Sequence, residues 1–400
     1  MPDLSRSALA IRASVFAELA PRLEAHTRAG GDLVALHLGD TSLPPPPGAR
    51  FGLVEPPGGT DPALYAYGAI PGLDALKQAF ARELATKGRG RAEVDPGRHV
   101  LVGVGATHAI YCALRSVLEP GDEVIVAAPY WPLSVGIVRA AGSVPVEVPL
   151  TSRLYEDPEA SAAEIVERAI TPRTRALYLI SPNNPDGYVY DDAQLRDLAA
   201  LAVARDLWVL SDEVYADYVY DGMHTSIARM PGMEERTLSA YSLSKSHALA
   251  GARVGFLVAS ERVVSLARRV ATHTVFNVPV ASQRVALAAL EAPTDWMDAA
   301  RAAYRAARDA TLAALAGSGV RAFVPKGGSY VFVDFAPVLR GRPLRGLLES
   351  AIDEGVLLAP GDGCGEAYGS WARLCFTSVP RERLMLGVER LRKAVEGLGK

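Results

Sequence analysis

Cysteine is nearly missing from this chain. Only Cys112, Cys364 and Cys375 occur in 400 residues, too few and too scattered for a disulfide framework or a zinc site. No metal centre is therefore expected, and a reducing cytoplasm is the simplest setting. Long apolar runs are missing as well: no window reaches the uninterrupted length that a membrane-spanning helix needs. The opening stretch MPDLSRSALAIRASVFAEL holds acidic residues and no long apolar segment, so it does not read as a secretory leader. There is no basic run and no acidic tail, and the net charge of −3 is close to neutral for this length. Nothing points to nucleic acid or to an anionic membrane surface as partner. Repeats are absent, and biased sequence is confined to the proline run Leu43–Gly48, an extended, stiff connection.

What the chain does have is apolar sequence, 49% of it, ample for one large α/β domain with an appendage or for two domains. Residues 5–30 carry helical spacing and stop at Gly30-Gly31; Leu33–Gly39 reads as a short strand. A long segment rich in proline and glycine follows, holding Tyr65, Tyr67 and Gly72, and a loop of that length in a compact protein is usually functional. Leu73–Lys87 is an amphipathic helix. From Pro96 the texture becomes a regular alternation. Strands are predicted at His99–Gly105, Glu123–Ala128, Val144–Leu150, Arg175–Ser181, Leu207–Asp212, Thr237–Ser242 and Val254–Ala259. Helices are predicted between them at Ala106–Leu118, Pro132–Ala141, Glu159–Ile170 and Asp191–Ala204, and after them at Glu261–Ala271. Strands without polar alternation, separated by helices, imply a mostly parallel seven-stranded sheet covered on both faces. The last two strands are joined too tightly for a full helix, so an antiparallel edge is expected there.

Val278–Ala316 is helical and alanine-rich, with a break near Pro293. Strand candidates Gly328–Phe335, Gly355–Leu358 and Arg373–Ser378, flanked by helices Leu344–Asp353 and Arg381–Leu398, describe a smaller α+β domain. The expected division is an N-terminal segment 1–50 joining the small domain, a large domain 51–290, and the rest of the small domain in 291–400.

In such a sheet, ligands bind at the carboxyl ends of the strands. After the first strand stands Gly105-Ala106-Thr107, either an anion site at a helix N-terminus or an ordinary glycine turn with a threonine cap. After the second stands Pro129-Tyr130-Trp131, an aromatic able to stack on a flat ring or to plug a loop. After the fourth comes Ser181-Pro182-Asn183-Asn184-Pro185-Asp186-Gly187, a rigid turn that can fix one asparagine as a donor. Asp212 and Glu213 end the fifth, with Tyr215 close by; adjacent residues of an extended segment point to opposite faces. One carboxylate can face the site, where it would keep a pyridine nitrogen protonated, while the other faces solvent or a partner. The sixth runs into Ser242-Leu243-Ser244-Lys245, with Arg253 eight residues on. A lysine in a Ser/Gly-rich turn can form a Schiff base with a carbonyl cofactor whose phosphate the hydroxyls and guanidinium hold, although most lysines are plain surface charges. Arg373 is the one charge in an apolar strand, and its fork suits a carboxylate or, at an edge, solvent.

Taken in order, these motifs resemble the class I/II aminotransferases, pyridoxal-phosphate enzymes of fold type I. The residues that carry the resemblance are the P-N-N-P-x-G turn, D-E-x-Y, S-x-S-K with R-x-G after the lysine, and R-L-x-F. They run from about Gly39 to Arg373. The resemblance implies that Lys245 holds pyridoxal 5'-phosphate as an internal aldimine and later moves the substrate proton. Asp212 pairs with the pyridinium nitrogen, Asn184 and Tyr215 bind the phenolic oxygen, and Trp131 stacks on the ring. Ala106, Thr107, Ser242, Ser244 and Arg253 hold the phosphate. Arg373 binds the substrate α-carboxylate, and Gly39, Trp131 and Asn184 line that site. Tyr67 matches the tyrosine that reaches the phosphate of the other subunit, which implies a homodimer with shared active sites. Catalysis falls to Lys245, Asp212 and Tyr215. The expected reaction moves an amino group from an L-amino acid to a 2-oxo acid in ping-pong fashion. A pyridoxal-phosphate lyase or cyclising enzyme would share every one of these motifs. A cofactor-sensing regulator would add a DNA-binding domain, for which the chain has no spare length. Two departures stand out. Asp186 replaces the usual Thr or Ser of the turn, where a changed local cap is expected. Thr107 stands where aspartate-preferring relatives can carry a lysine, which argues against a dicarboxylate-only substrate. His108, His273 and Tyr65 lie near the expected site loops and are candidates for shaping specificity.

Overall fold

The computed structural model describes residues 2–12, 16–55 and 61–398. Residues 13–15 of the expected N-terminal helix and 56–60 of the long Pro/Gly segment lie outside the described residues. The strands in chain order are β1 (Val34–Ala35), β2 (Val100–Val104), β3 (Glu123–Ala128), β4 (Val144–Pro149), β5 (Thr174–Ile180), β6 (Trp208–Asp212) and β7 (Thr237–Ser242). They continue with β8 (Val254–Val258), β9 (Arg321–Ala322), β10 (Tyr330–Asp334), β11 (Val356–Leu357), β12 (Ala359–Pro360) and β13 (Trp371–Cys375).

The large sheet has seven strands in the order β2-β8-β7-β6-β5-β3-β4. Along each strand alternate side chains reach opposite faces. In β5, Ala176, Tyr178 and Ile180 join one apolar cluster while Leu177 and Leu179 join another. The helix Gly105–Val117 buries Ala109, Ile110, Ala113 and Leu114, positions one turn apart, against the first face. Helix Asp192–Ala204 covers the second face; Asp191 caps it through the Gln194 N–H, and the Gln194 side chain returns the bond to the Asp191 N–H. Each large side chain buried this way contributes about 1.5–3 kcal/mol.

The tight link between the last two strands does reverse the chain, but not at an edge. β8 pairs antiparallel with both β7 and β2 and lies inside the sheet. The edges are β2 and β4. β8 begins where the parallel strands end, so the residue before it, Arg253, is delivered to the same rim as their carboxyl ends. The predicted strand Val144–Leu150 stops at Pro149; Leu150 starts a short helix, Leu150–Glu156. The predicted helix over 5–30 is observed as Arg6–Leu9 and Ala20–Arg28 among the described residues.

The second unit is a four-stranded antiparallel sheet, β12-β13-β10-β9, with β1 and β11 paired in parallel beside it. Helices Asp295–Leu315, Leu344–Asp353 and Arg381–Gly397 pack here around one apolar cluster. Leu19, Val34 and Leu36 from the chain start belong to that cluster together with Leu374, Val388 and Leu391 from its end. The small α+β unit is thus built from both ends of the chain. The predicted strand Gly355–Leu358 is observed as β11, Val356–Leu357, paired with β1; the separate strand β12, Ala359–Pro360, follows it, was not predicted, and pairs with β13.

Candidate active site

A cavity of about 340 Å³ opens at the carboxyl rim of the large sheet, between it and the small unit. Its walls hold Gly39, Ala106, Thr107, Trp131, Asn184, Asp212, Tyr215, Ser242, Ser244, Lys245, Arg253 and Arg373. Of the residues that the resemblance assigns to cofactor, substrate or catalysis, Tyr67 alone stands elsewhere. It is 87% exposed, on the segment before Gly72, with its ring edge-on to Phe276.

Ser242 ends β7 and caps the one-turn helix Leu243–Ser246, accepting from the Ser244 N–H at 3.1 Å. That turn lifts Lys245 into the cavity, where its Nζ donates to the Gly39 carbonyl. Burial holds the Lys245 amine below the usual lysine range, which favours the neutral, nucleophilic form. Gly39 has no room for a side chain: a Cβ there would lie 1.7 Å from the Tyr330 hydroxyl.

The phosphate end is shaped by close approach. A Cβ on Gly255 would lie 2.4 Å from the Ala106 nitrogen, and one on Gly105 would lie 2.6 Å from Arg253 Nη2. The two glycines let the N-terminus of helix Gly105–Val117, strand β8 and the Arg253 guanidinium meet. Arg253 itself adopts a left-handed backbone, φ +55°, which costs about 1 kcal/mol or more in a non-glycine residue. The first N–H groups of the helix, a guanidinium and the Ser242–Ser244 hydroxyl pair (2.8 Å apart) converge on one wall. That combination binds a dianion.

Across the cavity stands Asp212, at the end of β6. Its neighbours are the Tyr178 hydroxyl at 3.3 Å and the Val214 N–H at 3.2 Å. Burial pushes its carboxyl up to about 7, and among the described residues no cation relieves it. Glu213 points the opposite way, as alternation requires, but into the protein rather than into solvent. It takes hydrogen bonds from Ser211 (3.0 Å), Ser226 (2.6 Å) and Tyr241 (2.9 Å), and His224 Nε2 lies 3.0 Å away. Burial opposes its charge, yet these partners together hold it below the usual glutamate range.

Arg373 lies in β13, whose neighbour is β10. Nη1 donates to Asn184 Oδ1 and Nη2 to the His37 carbonyl, each at 2.9 Å. Nε has no hydrogen-bond partner. Only 7% of the residue is exposed, and no carboxylate among the described residues pairs with it. A buried guanidinium without a counterion costs several kcal/mol unless an anion arrives to meet it. Asn184 stands in the expected turn, and its side chain is held by the bond its Oδ1 accepts from Arg373. Asp186 does more than cap: it is fully buried, with Thr151 at 2.5 Å, Asn183 Nδ2 at 2.8 Å and the Tyr188 N–H at 3.0 Å on its oxygens. It braces Asn183, and through it the turn, from behind.

Leu38, Leu133, Ile180, Val214, Ala250 and Tyr330 also line the cavity, and no sequence signal marked them. Tyr330 follows a Gly-Gly pair in an apolar strand, a pattern that says nothing of a site. His108, His273 and Tyr65 do not line it. His108 bonds Thr274, His273 its own helix, and Tyr65 bonds Glu55.

The walls fit pyridoxal phosphate. A dianion cradle, a buried carboxyl without a cation and a lysine of lowered basicity stand around one space, with the Trp131 ring beside it and a guanidinium without an anion at its far side. An α/β sheet presenting these groups at its carboxyl rim is the plan of the fold type I pyridoxal-phosphate enzymes. The family model "Aminotransferase class I and II" matches residues 53–391. The arginine–pyruvate transaminase of Pseudomonas aeruginosa is 39% identical over 82% of this chain and 80% of its own. The aspartate/prephenate aminotransferase of Thermus thermophilus is 35% identical over 99% of this chain and 98% of its own. Among solved structures, the aspartate aminotransferase from Thermus thermophilus with maleate superposes with a TM-score of 0.86 at 32% identity, covering 98% of this chain and 100% of that one. This chain belongs to the class I and II aminotransferases, and it is an aminotransferase by fold, sequence and kinship.

Proposed function

We propose that the chain binds pyridoxal phosphate through Lys245 and transfers the amino group of an L-amino acid to a 2-oxo acid in two half-reactions. The observation that carries this is Arg373. A buried guanidinium without a carboxylate partner shares one cavity with Lys245 and Asp212, so the anion that answers it is a substrate α-carboxylate. Bound pyridoxal phosphate supplies an electron sink that makes the substrate Cα–H acidic. Lys245, held between Gly39 and the cavity, takes that proton and returns it, as base and then acid. With that group bound, Asp212 would keep the ring nitrogen protonated, and Asn184 and Tyr215 would steady the phenolic oxygen. Trp131 would lie against the ring. Ala106, Thr107, Ser242, Ser244 and Arg253 would hold the phosphate. Leu38 and Leu133 are apolar residues on the cavity wall, each 55% exposed.

The working form is read as a homodimer. Phe51, Leu53, Tyr65, Tyr67 and Phe276 are large apolar side chains left 42–87% exposed on neighbouring segments, a patch of the kind that covers itself with a second copy. Tyr67 would then reach the phosphate of the other subunit. The parts of the chain are 1–50, 51–290 and 291–400, and the compartment is the cytoplasm. No helix among the described residues is long and apolar enough to cross a membrane.

The relatives are named for chemically different donors, so the donor is found by screening. Holoenzyme is mixed with each of twenty amino acids, and conversion of its yellow band to the aminated cofactor is followed. Conversion by at least one, reversed by a 2-oxo acid, is expected. Elimination products without reversal would instead make it a lyase. Lys245→Ala should lose the yellow band; a wild type that stays colourless with added pyridoxal phosphate would refute the reading.

A further inference from the structure

Tyr330 carries no motif, yet it meets three functional groups at once. It is 2% exposed. Its hydroxyl lies 2.7 Å from the Tyr215 hydroxyl, its ring centroid lies 4.4 Å from the Arg373 guanidinium carbon, and the same hydroxyl fills the space that a Cβ on Gly39 would need. The register explains the meeting. In the β10–β13 pair Tyr330 is opposite Cys375 and Phe332 is opposite Arg373, so Tyr330 and Arg373 are diagonal neighbours on one face.

Two phenols share this contact, and each has one proton. Whichever donates decides whether the Tyr215 proton is used up inside the pair or left for the cavity. Burial pushes both phenols up, Tyr330 to about 12 and Tyr215 well above the usual tyrosine range. The Arg373 cation, packed on the Tyr330 ring, is the largest influence pulling Tyr330 back. A cation packed on its ring polarises a phenol as a donor, and the Arg373 guanidinium lies on the Tyr330 ring. With Tyr330 as the donor, Tyr215 accepts and its own proton is free to point into the cavity.

We propose that Tyr330 is a positioning residue that acts through Tyr215: its hydroxyl donates to Tyr215 and so aims and strengthens the Tyr215 hydroxyl as a donor to the phenolic oxygen of bound pyridoxal phosphate. The proposal rests on the functional reading above and adds a residue and a direction to it. Hydrogen bonds in a chain polarise one another, strengthening each by roughly 10–30%. A stronger donor to the phenolic oxygen stabilises its ionised form, so the chromophore on Lys245 loses its proton at lower pH. The other charged or titratable groups that face the pair are Arg373, Cys375 and Asp40, with Lys245 across the cavity.

The test is the pH titration of the visible band of the holoenzyme. Tyr330→Phe keeps the ring under Arg373 and removes only the donor. Its titration should move to higher pH by roughly 0.1–0.6 unit, the size of such a change in one charge-assisted hydrogen bond. In a Tyr215→Phe background the same substitution should shift nothing further. Replacing Tyr330 by 3-fluorotyrosine, a more acidic phenol, should move the titration to lower pH, and this variant carries the test if Tyr330→Phe does not fold. An unmoved titration, a shift of the opposite sign, or an equal shift with and without Tyr215 overturns the relay while leaving the aminotransferase reading intact. A wild type that never turns yellow overturns that reading and the relay with it.

Discussion

The buried carboxyl of Asp212 makes a prediction about stability as well as chemistry. Its folded-state value of about 7 lies roughly three pH units above that of an exposed aspartate. Without a cation, the native protein thus binds more protons than the unfolded chain between about pH 4 and pH 7, and stability falls as pH rises through that window. Three units at about 1.4 kcal/mol each set a ceiling of about 4 kcal/mol at pH 8, of which roughly 2–3 kcal/mol develops between pH 5 and pH 8. Water reaching the cavity screens part of this. Asp212→Asn removes the ionisation and keeps the shape. The apoprotein of this variant should therefore gain stability over wild type on going from pH 5 to pH 8, by on the order of 2 kcal/mol. Urea unfolding of both apoproteins at the two pH values measures the difference directly, and other titrating groups cancel between them. Added pyridoxal phosphate should reverse the ranking at pH 8, because a pyridinium gives the carboxylate the partner it lacks and gives the amide nothing. Transaminase turnover should fall steeply in the variant. If the two apoproteins show the same pH dependence, Asp212 is not held near 7 and the argument for a cationic partner fails.

Two further substitutions probe the same cavity. Arg373→Ala should weaken amino-acid binding by about 1.5–3 kcal/mol, tenfold or more in the dissociation constant, read by spectral titration of the holoenzyme; an unchanged constant would reject the α-carboxylate role. Gly39→Ala places a methyl 1.7 Å from the Tyr330 hydroxyl and should cost about 1–3 kcal/mol by thermal or urea unfolding. The double variant Gly39→Ala, Tyr330→Phe should recover part of that loss, and no recovery would mean that the strain lies elsewhere.

The sequence by itself determined the sheet and most of the residues that line the cavity at its rim. Unbroken apolar strands separated by helices leave few alternatives to a mostly parallel sheet, and in such a sheet every strand end is a site position. Ala106, Thr107, Trp131, Asn184, Asp212, Ser242 and Lys245 were legible for that reason: each stands within a few residues of a strand terminus, where a local pattern suffices to place it. Arg253 was legible by its offset from Lys245, although only the antiparallel insertion of β8 between β2 and β7 explains why it reaches the rim. Contacts between residues distant in the chain were not legible. Gly39 meets Tyr330 and His37 meets Arg373 because the small unit is woven from both chain ends, and Asp186 meets Thr151 where two segments that leave neighbouring parts of the large sheet pack together. No local spacing encodes such a meeting. It is fixed by which apolar faces find each other when the core forms. Tertiary packing alone decided that Glu213 turns into a buried network, that Asp186 braces a turn from behind, and that a tyrosine without a motif meets Gly39, the Tyr215 phenol and the Arg373 guanidinium.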